Sequence, residues 1–235
     1  MSQNLYIDGT EMSAGDNAWG TQVARQFDRY VNNAEPYKSS EAILRSLFGH
    51  LASIGEFDDA DAEAHMRQGV YLVEFPNPYN QTIWIPEYNT HVNVCGETGQ
   101  TWIADDELRD NPTPHFTELV EKQQQKLNAW QELRGTDEVY NEQAKAVNTF
   151  MLFCRAFHVP ARFIVRETSH HPECDAIRSV YHPYMITKTH WYLPRPAQIL
   201  DEELLNNNVP TDEGQKVYGT KIAKLLTRQD IIPKR

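Results

Sequence analysis

Between Gly69 and Ile103 the hydrophobic pattern of this 235-residue chain changes period, and that change constrains the fold more than any other feature. Val70-Tyr-Leu-Val-Glu-Phe, Thr82-Ile-Trp-Ile-Pro, Thr90-His-Val-Asn-Val and Thr101-Trp-Ile-Ala are four short runs rich in β-branched and aromatic residues. Pro76-Asn-Pro, Glu87-Tyr-Asn and Gly96-Glu-Thr-Gly punctuate them. Spacing and turn chemistry together predict a contiguous antiparallel meander over 70–103.

The flanks have helical period. Leu5-Tyr-Ile-Asp-Gly-Thr predicts a short strand ending in an Asp-Gly turn. A helix is expected from about Asp16, with Trp19, Val23, Phe27, Tyr30 and Val31 on one side and Pro36 as its stop. Leu44, Leu47, Phe48, Leu51 and Ile54 form one apolar stripe after Ser39-Ser40-Glu41, closed by Gly55. Thr113-Pro114 is an N-cap followed by proline at the first helical position, opening a helix that Gly135 closes. Thr136-Asp-Glu opens the next, which carries Tyr140, Ala144, Val147, Met151 and Cys154 and ends before Val159-Pro160. Ala161-Arg-Phe-Ile-Val and Tyr184–Leu193 are expected strands, and a last helix holds Val217, Ile222, Leu225 and Leu226. With helices mainly outside the strands, the expected class is α+β: an antiparallel sheet packed with amphipathic helices, one domain over 1–235 with an N-terminal helical subregion 1–68.

Composition narrows function. A net charge of −11 opposes nucleic acid and anionic membrane as partners, except through a basic C-terminal patch of Lys216, Lys221, Lys224, Arg228, Lys234 and Arg235. Three cysteines, none in a C-x-x-C, with no apolar run after Met1 and no membrane-length run, point to a reducing cytoplasmic setting with free thiols. Asp59-x-Asp61-x-Glu63 has the start of a calcium loop, but Ala64 and Val70 stand where glycine and glutamate are required. Serine-hydrolase, phosphate-cradling and dinucleotide signatures are absent.

The densest chemistry lies in 166–191. Of nine histidines, His170, His171, His182 and His190 fall there, interleaved with Glu167, Glu173, Cys174 and Asp175. His171-x-x-Cys174 has a ligand-pair spacing, and thiolate with imidazole suits zinc. The candidate metal set is therefore His170, His171, Cys174, His182 and His190. On an extended strand His182 and His190 stand about 26 Å apart, so one ion takes only one of them unless the strand bends. The same groups allow general acid–base work. Cys154 falls on an apolar helical stripe, where a thiol is buried and inert.

Phe153-Cys-Arg-Ala-Phe-His-Val-Pro-Ala-Arg-Phe-Ile-Val, within 140–201, resembles the core of the transglutaminase-like (papain-like) superfamily. The resemblance implies a nucleophilic cysteine early in the preceding helix, near Gln143, where this chain has none. It also implies His182 or His190 as the histidine and Asp201 as the aspartate. Two functions follow as expectations. The first is a soluble intracellular interaction or assembly protein without cofactor, with a protein partner or a second copy of itself. The alternative is an enzyme sited in 158–201, zinc-dependent or degenerate transglutaminase-like.

Overall fold

The computed structural model describes residues 4–10, 12–15, 18–54, 69–96, 98–156, 158–165, 193–194, 196–206, 209–229 and 231. Strand β1 (Asn4–Asp8) leads through helix α1 (Trp19–Ala24) to β2 (Arg29–Asn32), then through α2 (Ser40–Ile54) to β3 (Gly69–Phe75). Next come β4 (Gln81–Ile85), β5 (Thr90–Val94) and β6 (Thr101–Ile103), with a 3-10 turn at Pro86–Tyr88. Helices α3 (Asp106–Asp110), α4 (Pro114–Leu133) and α5 (Thr136–Ala156) follow, and then β7 (Ala161–Val165). The chain goes on through α6 (Pro196–Ile199), the short pair β8 (Leu205–Asn206) and β9 (Val209–Pro210), and α7 (Asp212–Arg228).

The central sheet has strand order β2-β1-β3-β7, and every pairing in it is parallel. Parallel strands need crossovers, which here are helical and cover both faces. Leu5, Ile7, Val70, Leu72 and Ile164 point to the face holding Trp19 and Val23 of α1 with Tyr218 and Ile222 of α7. Tyr6, Tyr71, Val73, Phe75 and Phe163 point to the other face, against Ile43, Leu47 and Leu51 of α2 and Val147 and Phe150 of α5. The architecture is a three-layer α/β sandwich, not the α+β arrangement expected. The physical signal lies in β3, where all seven residues are buried. A strand covered on both sides reads as a continuous apolar run, whereas a half-exposed meander strand alternates.

The expected meander is real only over β4, β5 and β6, which pair antiparallel. It forms a separate small sheet between β3 and β7 in sequence. Ile85, Val92 and Val94 on one of its faces pack on Phe116 and Val120 of α4. The helix expected from Asp16 through Val31 is also corrected. It ends after Ala24, because Tyr30 and Val31 pair with Leu5 and Tyr6 as an edge strand. The helices expected around 40–54, 114–133, 136–156 and 217–226 are present. Thr113 caps α4 by accepting from Phe116 N–H at 3.2 Å, as its sequence predicts.

The transglutaminase-like resemblance does not hold. Its string does form a helix end and a strand, but β7 lies parallel to β3 in a doubly covered sheet. A helix end, a short turn and a strand are ordinary parts of an α/β crossover, and Ala161 and Arg162 already belong to the strand. At the position where the superfamily needs its cysteine, Gln143 is buried and donates from Nε2 to the Pro76 carbonyl. Asp201 precedes the 3-10 turn Glu202–Leu204 and makes no side-chain cap. Among the described residues no helix is long and apolar enough to cross a membrane.

Helices α1 and α7 approach closely because Gly219 has no side chain. A Cβ there would lie 2.6 Å from both the Trp19 carbonyl oxygen and Gln22 Cβ. Gly49, within α2, would meet nothing within 4 Å. The two Gly→Ala changes should therefore have opposite signs in denaturant unfolding. G49A is expected to stabilise by roughly 0.5–1 kcal/mol through helix propensity, and G219A to destabilise by about 1–3 kcal/mol through overpacking.

Candidate active site

In the sheet order β2-β1-β3-β7 the chain leaves β1 to one side and returns on the other. The strand direction of travel therefore reverses between β1 and β3. Crevices at the carboxyl ends of strands at such a switch point are where open α/β sheets bind ligands. Two carboxylates, Asp8 and Glu74, stand there, and neither is exposed at all. By alternation they point to opposite faces.

Asp8 is held by the β2–α2 connection. Lys38 Nζ donates to Asp8 Oδ1 at 2.8 Å and to the Asn33 carbonyl at 2.7 Å. Tyr6 OH donates to Oδ2 and Gly9 N–H to Oδ1, each at 2.8 Å. Burial pushes the Asp8 carboxyl up to about 6, against the pull of Lys38, Tyr6 and Gly9. Burial and the Asp8 charge together raise the Tyr6 phenol.

Glu74 holds the β1–α1 connection. It accepts from Thr10 Oγ1 and Ser13 Oγ, both at 2.6 Å, while Trp19 Nε1 donates to Ser13 Oγ at 3.0 Å. Burial again raises this carboxyl, opposed by the two hydroxyls. Gly9 allows the approach, because a Cβ there would lie 2.7 Å from Glu74 Cβ. Both acids thus brace the loops that frame the crevice.

A second, more exposed pair stands beside them, Glu35 and His91. Glu35 N–H donates to the Gly9 carbonyl at 3.2 Å, fixing Glu35 at the carboxyl end of β1. Its Oε2 lies 2.7 Å from His91 Nε2 and accepts from Asn93 Nδ2 at 3.0 Å. Asn93 Oδ1 in turn accepts from Thr82 Oγ1 at 2.8 Å, and Thr82 Oγ1 accepts from Ser39 N–H at 3.1 Å. Partial burial works to raise the Glu35 carboxyl, but His91, Lys38 and Asn93 together hold it below its usual range. An ionised carboxylate can only accept, so His91 Nε2 carries the proton, and in the neutral ring Nδ1 is the free base. Nδ1 has no partner among the described residues. The pair is accessible, with the side chains of His91 and Glu35 at 28% and 24% exposure.

The expected metal residues His170, His171, Cys174, His182 and His190 lie outside the described residues. Among the described residues no three His, Cys, Asp or Glu side chains gather to hold a metal ion. Cys154 is buried, 1% exposed, and burial pushes its thiol up, as its place on an apolar stripe predicts. Sequence reasoning missed Asp8, Lys38, Glu35, Glu74 and His91. Three local signals were available. Glu74 is a lone charge in an apolar run, Asp8 ends a buried strand, and His91 and Asn93 alternate with Val92 and Val94. The 56-residue separation of Glu35 and His91 gives no local signal.

No protein-family model and no curated protein matches the chain. Solved structures do. The psychrotrophic esterase EstA from Pseudoalteromonas sp. is 12% identical with a TM-score of 0.49, over 97% of this chain and 98% of that one. A protein described as an acylhydrolase from Bacteroides fragilis is 10% identical with a TM-score of 0.45, over 97% and 88%. An acetyl xylan esterase from the rumen bacterium Butyrivibrio proteoclasticus is 11% identical with a TM-score of 0.47, over 97% and 64%. The interaction or assembly reading, which rested on the lack of a catalytic set in sequence, is withdrawn. The described residues do bring a carboxylate–imidazole pair together over the switch point.

The buried braces set a pH response. Because the folded Asp8 carboxyl sits near 6, above its ordinary 3.8, its contribution to stability is full below about 3.8 and is lost as pH rises through about 6. Glu35, held low, acts oppositely: its contribution is present above the ordinary 4.5 and is lost as pH falls through its depressed value. Lys38→Met leaves the Asp8 charge buried and uncompensated and should cost about 3–5 kcal/mol at pH 7.5. At pH 5 the unpaired Asp8 takes up a proton, so the loss should be clearly smaller. Urea titrations of both proteins at the two pH values measure this, and an equal loss at both would contradict the buried ion pair.

Proposed function

We propose that this chain is a hydrolase of ester or other acyl bonds, with Glu35 and His91 as its acid–base centre at the carboxyl edge of the parallel sheet. The single observation that carries the reading is this partly exposed pair, 2.7 Å apart, standing over the β1/β3 switch point. Glu35 fixes the tautomer and orientation of the imidazole and stabilises the imidazolium that forms on proton uptake, the part a carboxylate plays beside a catalytic histidine. Asn93 and Lys38 hold that carboxylate ionised and in place.

In the proposed reaction, His91 Nδ1 takes a proton from an attacking water as its oxygen bonds to the acyl carbon. The same proton passes to the departing alkoxide when the carbon–oxygen bond breaks, releasing acid and alcohol and restoring the neutral ring. The bond to test first is an ester.

The test is hydrolysis of 4-nitrophenyl esters of short and medium acyl chains by the full-length protein. His91→Ala should lower kcat/KM by about 10²- to 10⁴-fold, the usual worth of a positioned general base. Glu35→Gln, which keeps the shape but not the charge, should fall in the same direction by a smaller factor. Both should keep their far-ultraviolet circular dichroism. No hydrolysis across the series by the wild type, or His91→Ala as active as the wild type, would end this reading.

A further inference from the structure

The meander has two unlike faces. Ile83, Ile85, Val92, Val94 and Ile103 turn to α4, so by alternation Thr82, Trp84, His91, Asn93 and Trp102 share the opposite face. Trp84 is the direct cross-strand partner of His91. It is 49% exposed, an unusual state for an indole on a sheet. Trp102 stands across Asn93 on the next strand, and the Arg109 guanidinium lies 5.5 Å from its ring centroid. Of the two rings, Trp84 is the open one, and it borders the proton-handling pair.

We infer that this face is a stacking subsite for a neutral sugar ring, so that the acyl group cleaved is carried on a carbohydrate. The inference rests on the functional reading above. A pyranose has one face of C–H groups and a rim of hydroxyls. An exposed indole offers the apolar partner for the first, and Glu35, His91 and Thr82 border it with hydrogen-bonding groups for the second. A lipid would need continuous apolar surface, but Thr82 on β4 and His91 and Asn93 on β5 interrupt this face with polar side chains. A nucleotide or other anionic ligand would meet the Glu35 carboxylate and a chain of net charge −11. Charge and surface pattern together favour the neutral polyol.

The experiment is titration of xylo-, cello- and chito-oligosaccharides of three to six units into the full-length protein, followed by calorimetry and tryptophan fluorescence. At least one series should bind. Trp84→Ala should weaken it by about tenfold or more, with Trp84→Phe between. With a sugar acetate as substrate, Trp84→Ala should raise KM more than it lowers kcat, and its loss of kcat/KM there should clearly exceed its loss on 4-nitrophenyl acetate. Simple-ester hydrolysis without any oligosaccharide binding would overturn the subsite and leave the hydrolase reading standing. Oligosaccharide binding that survives Trp84→Ala would overturn the placement at this face. Sugar binding lost with Trp84 in a protein that cleaves no ester would uphold the subsite and sink the hydrolase reading.

Discussion

Burial of two carboxylates at adjacent strand ends is the constraint on which the rest of the molecule depends. Asp8 and Glu74 have no access to water, so each must take its counter-charge or hydrogen bonds from the chain itself. Asp8 takes Lys38 from the loop before α2, and Glu74 takes Thr10 and Ser13 from the loop before α1. Each acid thereby fixes one of the two connections that diverge from β1 and β2. Those connections are the walls of the switch-point crevice. Removing either acid's partner would expose the free-energy cost of an orphaned buried polar group.

That rigidity is what makes Glu35 useful. It lies between two fixed points, its backbone on Gly9 and its neighbour Lys38 on Asp8. The meander brings His91 and Asn93 to it from the other side. The Tyr37 backbone adopts φ 58, uncommon for a residue with a side chain, and its hydroxyl donates to Gln100 Oε1 at 2.8 Å, a second tie between the same two segments. A small antiparallel sheet inserted between β3 and β7 is thus more than an ornament on the sandwich. It supplies the imidazole, and its exposed indole borders it.

The amphipathic helices were legible because their information is local. The stripe of Leu44, Leu47 and Leu51, the cap at Thr113-Pro114 and the apolar period through Val147 and Cys154 each fix a helix and its buried face within a few turns. β1, β7 and the meander strands were legible for the same reason. The direction of pairing was not. Whether Val70–Phe75 joins Gln81–Ile85 in a hairpin or Leu5–Asp8 in parallel depends on a partner more than sixty residues away. The fully apolar run of β3 carries the only local trace of that choice, its burial on both faces.

The sequence by itself determined the existence of the four long amphipathic helices, which of their faces are apolar, and that Cys154 is a buried core thiol. These follow from side-chain period and capping, which act over one or two turns. Only the tertiary structure decided that the sheet is parallel, that Tyr30 and Val31 extend its edge instead of a helix, and that Glu35 and His91 meet. Those outcomes rest on which crossovers bury both faces of β3 and on which buried acid captures which loop. A contact of that kind is selected by the energy of the whole assembled core, and no window of neighbouring residues contains it.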